Sequence, residues 1–177
     1  VFHYEEEKGI NQAKLLVALK PEDFDVDKEQ QIARLYGAIL GSGVTSKLFR
    51  VIREENSLAY YTSIYREDLQ IAVLEAGIDI KNYDKTLKLI KRCIKDMSNI
   101  SLEDLNLVKT KLITALKRVE YYQNDIVGFY LTNTLLEENK TIKDRIKEIE
   151  EVTLKDVKNF NEKVYIDNIL LYGDKNE

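Results

Sequence analysis

Two kinds of apolar pattern alternate along this chain, compact runs and widely spaced stripes, and their order predicts its architecture. Ala13-Lys14-Leu15-Leu16-Val17-Ala18-Leu19-Lys20 is a compact run closed by Pro21. It is too short for a helix with a full apolar stripe and reads as a buried strand. Over residues 27–40 the spacing widens, and Ile32, Leu35, Tyr36, Ile39 and Leu40 stand at i, i+3, i+4, i+7 and i+8. That spacing lays them on one side of a helix over a core, and Gly41 supplies its stop. A shorter helix is expected over residues 45–55, with Thr45 as its cap and Leu48, Phe49 and Ile52 as its apolar side. Residues 58–65 and 69–80 are strand-like, rich in aromatic and β-branched side chains. Arg66-Glu67-Asp68 separates them, a spacing that suits an antiparallel hairpin.

The rest reads as helix almost to its end. Leu87, Ile90, Ile94 and Met97 form the seam of a helix over residues 83–97. Ser101 and Asp104 have the spacing of a capping box, and Leu105, Val108, Leu112, Ala115 and Val119 are the expected buried stripe behind it. Further helices are expected over 124–137, over 142–149 and from a Thr153 cap to about 164, before Asn168-Ile169-Leu170-Leu171-Tyr172-Gly173 closes as a strand. The resulting order, β-α-α-β-β-α-α-α-α-α-β, predicts an α+β fold in which helices cover one face of a mainly antiparallel sheet.

Composition narrows the partners. A length of 177 residues suits one domain spanning 1–177 with a core of its own. The formal charge of −4 comes from interspersed Lys, Glu and Asp. No basic stripe or aromatic-basic alternation follows any element, which argues against nucleic acid. No apolar run approaches the ~18 residues of a membrane span, and no charged-then-apolar leader is present, so no membrane partner is expected. The single cysteine, Cys93, cannot form an internal disulfide, which points to a reducing, cytoplasmic setting.

The most specific stretch is Gly41-Ser42-Gly43-Val44-Thr45-Ser46-Lys47-Leu48-Phe49 followed by Arg53-Glu54-Glu55-Asn56-Ser57-Leu58-Ala59-Tyr60. A glycine turn, a short helix, an arginine and a strand-opening tyrosine follow one another in fixed order. This resembles the second, non-metal half of the pitrilysin/insulinase family of zinc metallopeptidases, of the processing-peptidase kind. There a glycine-rich turn and a helix precede an Arg-Glu-x-x-Gly-Leu-Ala-Tyr segment. The resemblance implies a half-clamshell domain, the carboxy-terminal half of a larger peptidase-like protein that encloses a peptide substrate. Zinc is then expected in the amino-terminal metal-binding half or in a homologous partner subunit. No metal or cofactor is expected in this chain. His3 is its only histidine, so a His-x-x-Glu-His motif cannot exist, and neither Cys93 nor Glu5-Glu6-Glu7 has the spacing to complete a three-ligand set.

By the same resemblance Arg53 and Tyr60 are the candidate catalytic contacts. A guanidinium offers a planar fork of donors that never deprotonates, and a phenol adds a directional donor. Together they suit a peptide carbonyl and the oxyanion that develops on it, and the two are expected to converge at one end of the sheet with exposed polar heads. The bland alternative is that Arg53 pairs with Glu54 or Glu55 and Tyr60 packs as an ordinary strand aromatic. Tyr61 remains open as the residue that faces substrate, because neighbours on a strand point to opposite faces. Ser57 stands where the family has glycine, at a position that often requires φ > 0 and costs serine about 1 kcal/mol.

Other features carry plainer readings. His3 lies in a polar segment before the first strand and is read as a surface residue. Lys91 and Arg92 beside Cys93 could lower its pKa, but with no histidine to orient a nucleophile the thiol is read as packing. Tyr121, Tyr122 and Tyr130 are read as core. Three functions follow: a substrate-holding domain of a zinc peptidase, a non-catalytic peptidase-like scaffold or partner subunit, or an unrelated α+β interaction domain.

Overall fold

A computed structural model describes residues 1–6, 9–10, 12–66, 70–135 and 138–174. Its sheet has five strands, β1 (Phe2–Glu6), β2 (Ala13–Pro21), β3 (Ala59–Arg66), β4 (Ala72–Ile78) and β5 (Val164–Gly173). They lie in the order β1-β5-β2-β4-β3. Only β1 and β5 run parallel, and the other pairings are antiparallel. The two-residue period of β2 decides which way the sheet faces. Ala13, Leu15, Val17 and Leu19 are buried, whereas Lys14 is exposed. Leu15 pairs with Ala76 and Leu171, and Val17 with Leu74 and Ile169, so the apolar rows continue across three strands.

Helix α1 (Val26–Gly41) begins at Asp25, whose side chain accepts the Lys28 N–H, and it buries Leu35, Tyr36, Ile39 and Leu40. The buried apolar side chains of α2 (Tyr83–Lys95), Ile90, Cys93 and Ile94, join the same core cluster as those of α1 and β2. Helices α3 (Leu102–Val119), α5 (Ile142–Glu151) and α6 (Leu154–Lys163) each start on a complete capping box, Ser101/Asp104, Thr141/Asp144 and Thr153/Asp156. Helix α4 (Gln123–Leu135) follows α3. Arg145 of α5 is buried and joins three elements. Its guanidinium donates to Gln30 of α1, Asn133 of α4, Glu138 and Glu148.

Several expectations are corrected by packing. The polar segment around His3 is a strand, β1, an edge strand whose outward charges are compatible with its place and whose Tyr4 hydroxyl donates to the Gly173 carbonyl. Strand β5 starts at Val164, directly after α6, because a bulge absorbs Asp167: Ala18 pairs with Asn168 and Leu19 with Ile166. Thr45 does not cap the short helix. Ser46 Oγ accepts the Phe49 N–H at 3.4 Å, while the Thr45 hydroxyl accepts from Lys111. On α3 the stripe runs through Leu116, and Ala115 is exposed. Tyr121, Tyr122 and Tyr130 are 81%, 53% and 48% exposed, so none belongs to the core. Strand β4 begins at Ala72, and Glu67, Asp68 and Leu69 of the expected hairpin lie outside the described residues, as does Glu137 at the expected end of α4.

Candidate functional site

Glycine first decides the geometry around Arg53 and Tyr60. Gly41 lies against β3 so closely that a methyl group there would stand 2.8 Å from Ile64 Cβ. Gly43 then turns the chain at φ +80°, a conformation glycine adopts without penalty. The helix that follows widens into π-helical turns over Phe49–Glu55 and buries Ile52. Such turns are rare and appear mainly as short bulges.

The end of this helix is tied down by its own backbone. The Arg53 carbonyl accepts from the Asn56 and Ser57 N–H groups, and the Ile52 carbonyl accepts from Leu58 N–H at 3.0 Å. The Asn56 side chain donates to the Val51 carbonyl at 2.8 Å. Ser57 closes the turn at φ +52°, the left-handed conformation expected where the family motif has glycine. Leu58 and Ala59 are buried behind it, which anchors the start of β3.

Strand β3 opens with an irregularity. Ala59 pairs with Ile78 and Tyr61 with Gly77, leaving Tyr60 as the extra residue of a bulge. Tyr60 is 58% exposed, and its hydroxyl donates to Asp79 Oδ1 at 2.9 Å. That bond, with the charge of the carboxylate, holds the phenol above its ordinary pKa. Tyr61 is different. Its ring lies over Gly77, where a methyl group would stand 2.4 Å from it, and its hydroxyl donates to Glu75. Burial, helped by that carboxylate, pushes the Tyr61 phenol up to about 12.

The Arg53 side chain is exposed, and its guanidinium stacks 4.8 Å from the centre of the Phe49 ring, a cation-π arrangement. It pairs with neither Glu54 nor Glu55; Arg50 lies 3.8 Å from Glu55 instead. Among the described residues no carboxylate forms an ion pair with Arg53. Arg53 and Tyr60 thus sit on successive elements at the same helix-to-strand corner, both exposed, with no hydrogen bond between them. Neither lines the apolar cavity of about 310 Å³ between α1, the sheet and α6, whose walls include Phe24, Gly37, Ile64 and Phe160.

Sequence reasoning missed Asp79. Its partnership with Tyr60 depends on a bulge and on the β3–β4 register, neither of which leaves a residue pattern to read. Cys93 is buried, as its reading as a packing residue requires, and burial pushes its thiol up to about 11, outweighing the charges of Lys47 and Arg92 that lower it. No group of three or more His, Cys, Asp or Glu among the described residues could hold a metal ion. With His3 the one histidine of the chain, the residues present do not fit the zinc site of an active peptidase.

Residues 2–112 match the model of the peptidase M16 inactive domain. A probable inactive metalloprotease, YmfF, of Bacillus subtilis (strain 168) is 24% identical over 165 residues, which are 92% of this chain and 39% of that protein. The structure of a conserved protein from Enterococcus faecalis V583 superposes with a TM-score of 0.88 at 22% identity, covering 99% of this chain and 42% of the other. A peptidase M16 inactive domain from Pseudomonas fluorescens superposes at 0.81 with 20% identity, covering 98% and 43%. The chain therefore spans about two-fifths of the length of these proteins.

Proposed function

Because the chain belongs to the peptidase M16 inactive-domain family and is a non-catalytic, peptidase-like domain, we propose that it is the substrate-holding half of a two-part peptide-binding clamshell. It is then the carboxy-terminal half of a larger protein, with zinc resident in an amino-terminal metal-binding half or a homologous subunit. The lone cysteine is the ground for a reducing, cytoplasmic setting. The observation that carries the reading is Arg53: an exposed guanidinium with no carboxylate partner among the described residues, held by Phe49 at the corner where the edge strand β3 begins. A free, oriented guanidinium suits a peptide carbonyl. Strand β3 lies at the edge of the sheet, the position at which an extended peptide joins in strand addition. Holding is what these groups can do, since none of them generates a nucleophile.

Reconstitution with the metal-binding half tests this. Arg53→Ala should lower peptide turnover about 10- to 1,000-fold, as loss of one donor to developing charge does, with folding and zinc content unchanged. Wild-type turnover in this variant would remove Arg53 from the site. The likeness to a probable inactive metalloprotease favours a second reading, in which the whole assembly is a non-catalytic scaffold. Its mark would be peptide binding that depends on Arg53 without any hydrolysis.

A further inference from the structure

Tyr60 has one proton to give, and it is already given. Its hydroxyl donates to Asp79 Oδ1 at 2.9 Å. Asp79 directly follows Ile78, the residue that pairs with Ala59 on the other side of the bulge. The contact is therefore built by the register of two adjacent strands and the displacement of Tyr60 from the ladder. Asp79 is itself held in place. Its carbonyl accepts the Asn82 N–H at 2.9 Å, closing the short turn Ile80–Asn82, and the Lys81 ammonium lies 3.5 Å from its second carboxylate oxygen. One oxygen faces the phenol and the other faces a cation.

A phenol that donates to a carboxylate presents only lone pairs elsewhere. In this arrangement Tyr60 can accept from a ligand N–H but cannot also donate to a ligand carbonyl. Neighbouring Tyr61 is committed in the same way to Glu75, so the two phenols that open β3 both give their protons to carboxylates of the chain. Arg53 has donors and no acceptor. The corner therefore carries an acceptor and a donor, and an extended backbone alternates N–H and C=O groups that complement such a pair.

We propose that Asp79 is a positioning residue that fixes Tyr60 as a hydrogen-bond acceptor for a peptide N–H, leaving Arg53 as the donor to a peptide carbonyl. This rests on the substrate-holding reading above and divides its two contacts by polarity. Loss of the Asp79 side chain frees the phenol proton and turns Tyr60 into a second donor.

The test is an ultraviolet titration of tyrosine ionisation in the whole chain, with Tyr60→Phe variants subtracted so that the Tyr60 step is isolated. Asp79→Asn removes the charge while preserving shape, and Asp79→Ala removes the side chain. Either should bring the Tyr60 ionisation down toward the ordinary value of about 10, while Lys81→Ala should not lower it. An unchanged Tyr60 step in the Asn variant, with the fold intact by circular dichroism, would overturn the assignment. If the Ala variant fails to fold, Asp79→Asn alone decides. In a second arm, short unstructured peptides and backbone N-methylated copies are compared by NMR titration. With single backbone positions N-methylated in turn, at least one position should cost the wild type several-fold more of its β3 shifts than it costs Tyr60→Phe, beyond the weakening that lost strand pairing causes in both; equal losses in both proteins at every position would also overturn the proposal. No peptide effect at β3, together with a normal titration, would count against the substrate-holding reading and leave the Asp79–Tyr60 pairing standing.

Discussion

Ser57 is where sequence and backbone conflict most plainly. Its φ of +52° is a conformation that costs an L-residue about 1–2 kcal/mol, which glycine avoids while losing more freedom on folding. Ser57→Gly is therefore expected to stabilise the chain by about 0.5–1 kcal/mol, read as a higher denaturant midpoint with unchanged slope. A destabilised variant would mean that the serine side chain contributes more than the strain removes. This residue was legible because the motif around it, Arg53 through Tyr60, fixes which position turns the chain. Arg53 and Tyr60 could be picked out by the same motif, whereas Asp79 could not. It lies nineteen residues from Tyr60 in sequence and reaches the phenol only through a bulge.

Element starts follow local chemistry closely. The Ser101/Asp104 box at α3 was readable because a cap needs only residues three apart, and the same logic serves Thr141 and Thr153. The Ser101 backbone N–H holds the Asp104 carboxyl below its ordinary pKa, and the Thr141 hydroxyl, then its backbone N–H, does so for Asp144. A depressed carboxylate pKa contributes stability above the unfolded value of about 3.9, and that contribution is lost as pH falls through the folded value. Helicity followed by circular dichroism should therefore fall in acid. The double variant Asp104→Asn, Asp144→Asn should show a flatter loss below about pH 4, and an identical acid profile would contradict this role for the caps. What local chemistry could not give was pairing. Strand β1 reads as polar because an edge strand carries outward charges, and the start of β5 is hidden by Asp167 and Asn168, one of which the sheet accommodates only as a bulge. The start of helix α4 is legible to within one residue, yet Tyr121, Tyr122 and Tyr130 lie exposed because other elements fill the core.

At the scale of the whole molecule, the helical core and the sheet anchor the helix-to-strand corner that carries Arg53 and Tyr60. Leu48 and Ile52 are fully buried beneath the short helix, Gly41 lets that helix approach β3, and the Ser57 turn delivers the chain into the edge strand. Arg53 is exposed on the short helix that leads into the edge strand β3, while the buried Arg145 joins α1, α4 and α5 elsewhere. The fold class was accessible from the order of apolar runs and stripes; the strand order β1-β5-β2-β4-β3 was not, because non-local pairing leaves no local signal. The most direct measurement of substrate holding is an NMR titration of the isotope-labelled chain with short unstructured peptides, followed residue by residue in wild type and Arg53→Ala. Shifts confined to Ala59–Arg66 and the adjoining end of Phe49–Glu55, weakened several-fold by the substitution, are the predicted result. Shifts elsewhere only, or an undiminished response in Arg53→Ala, would contradict it.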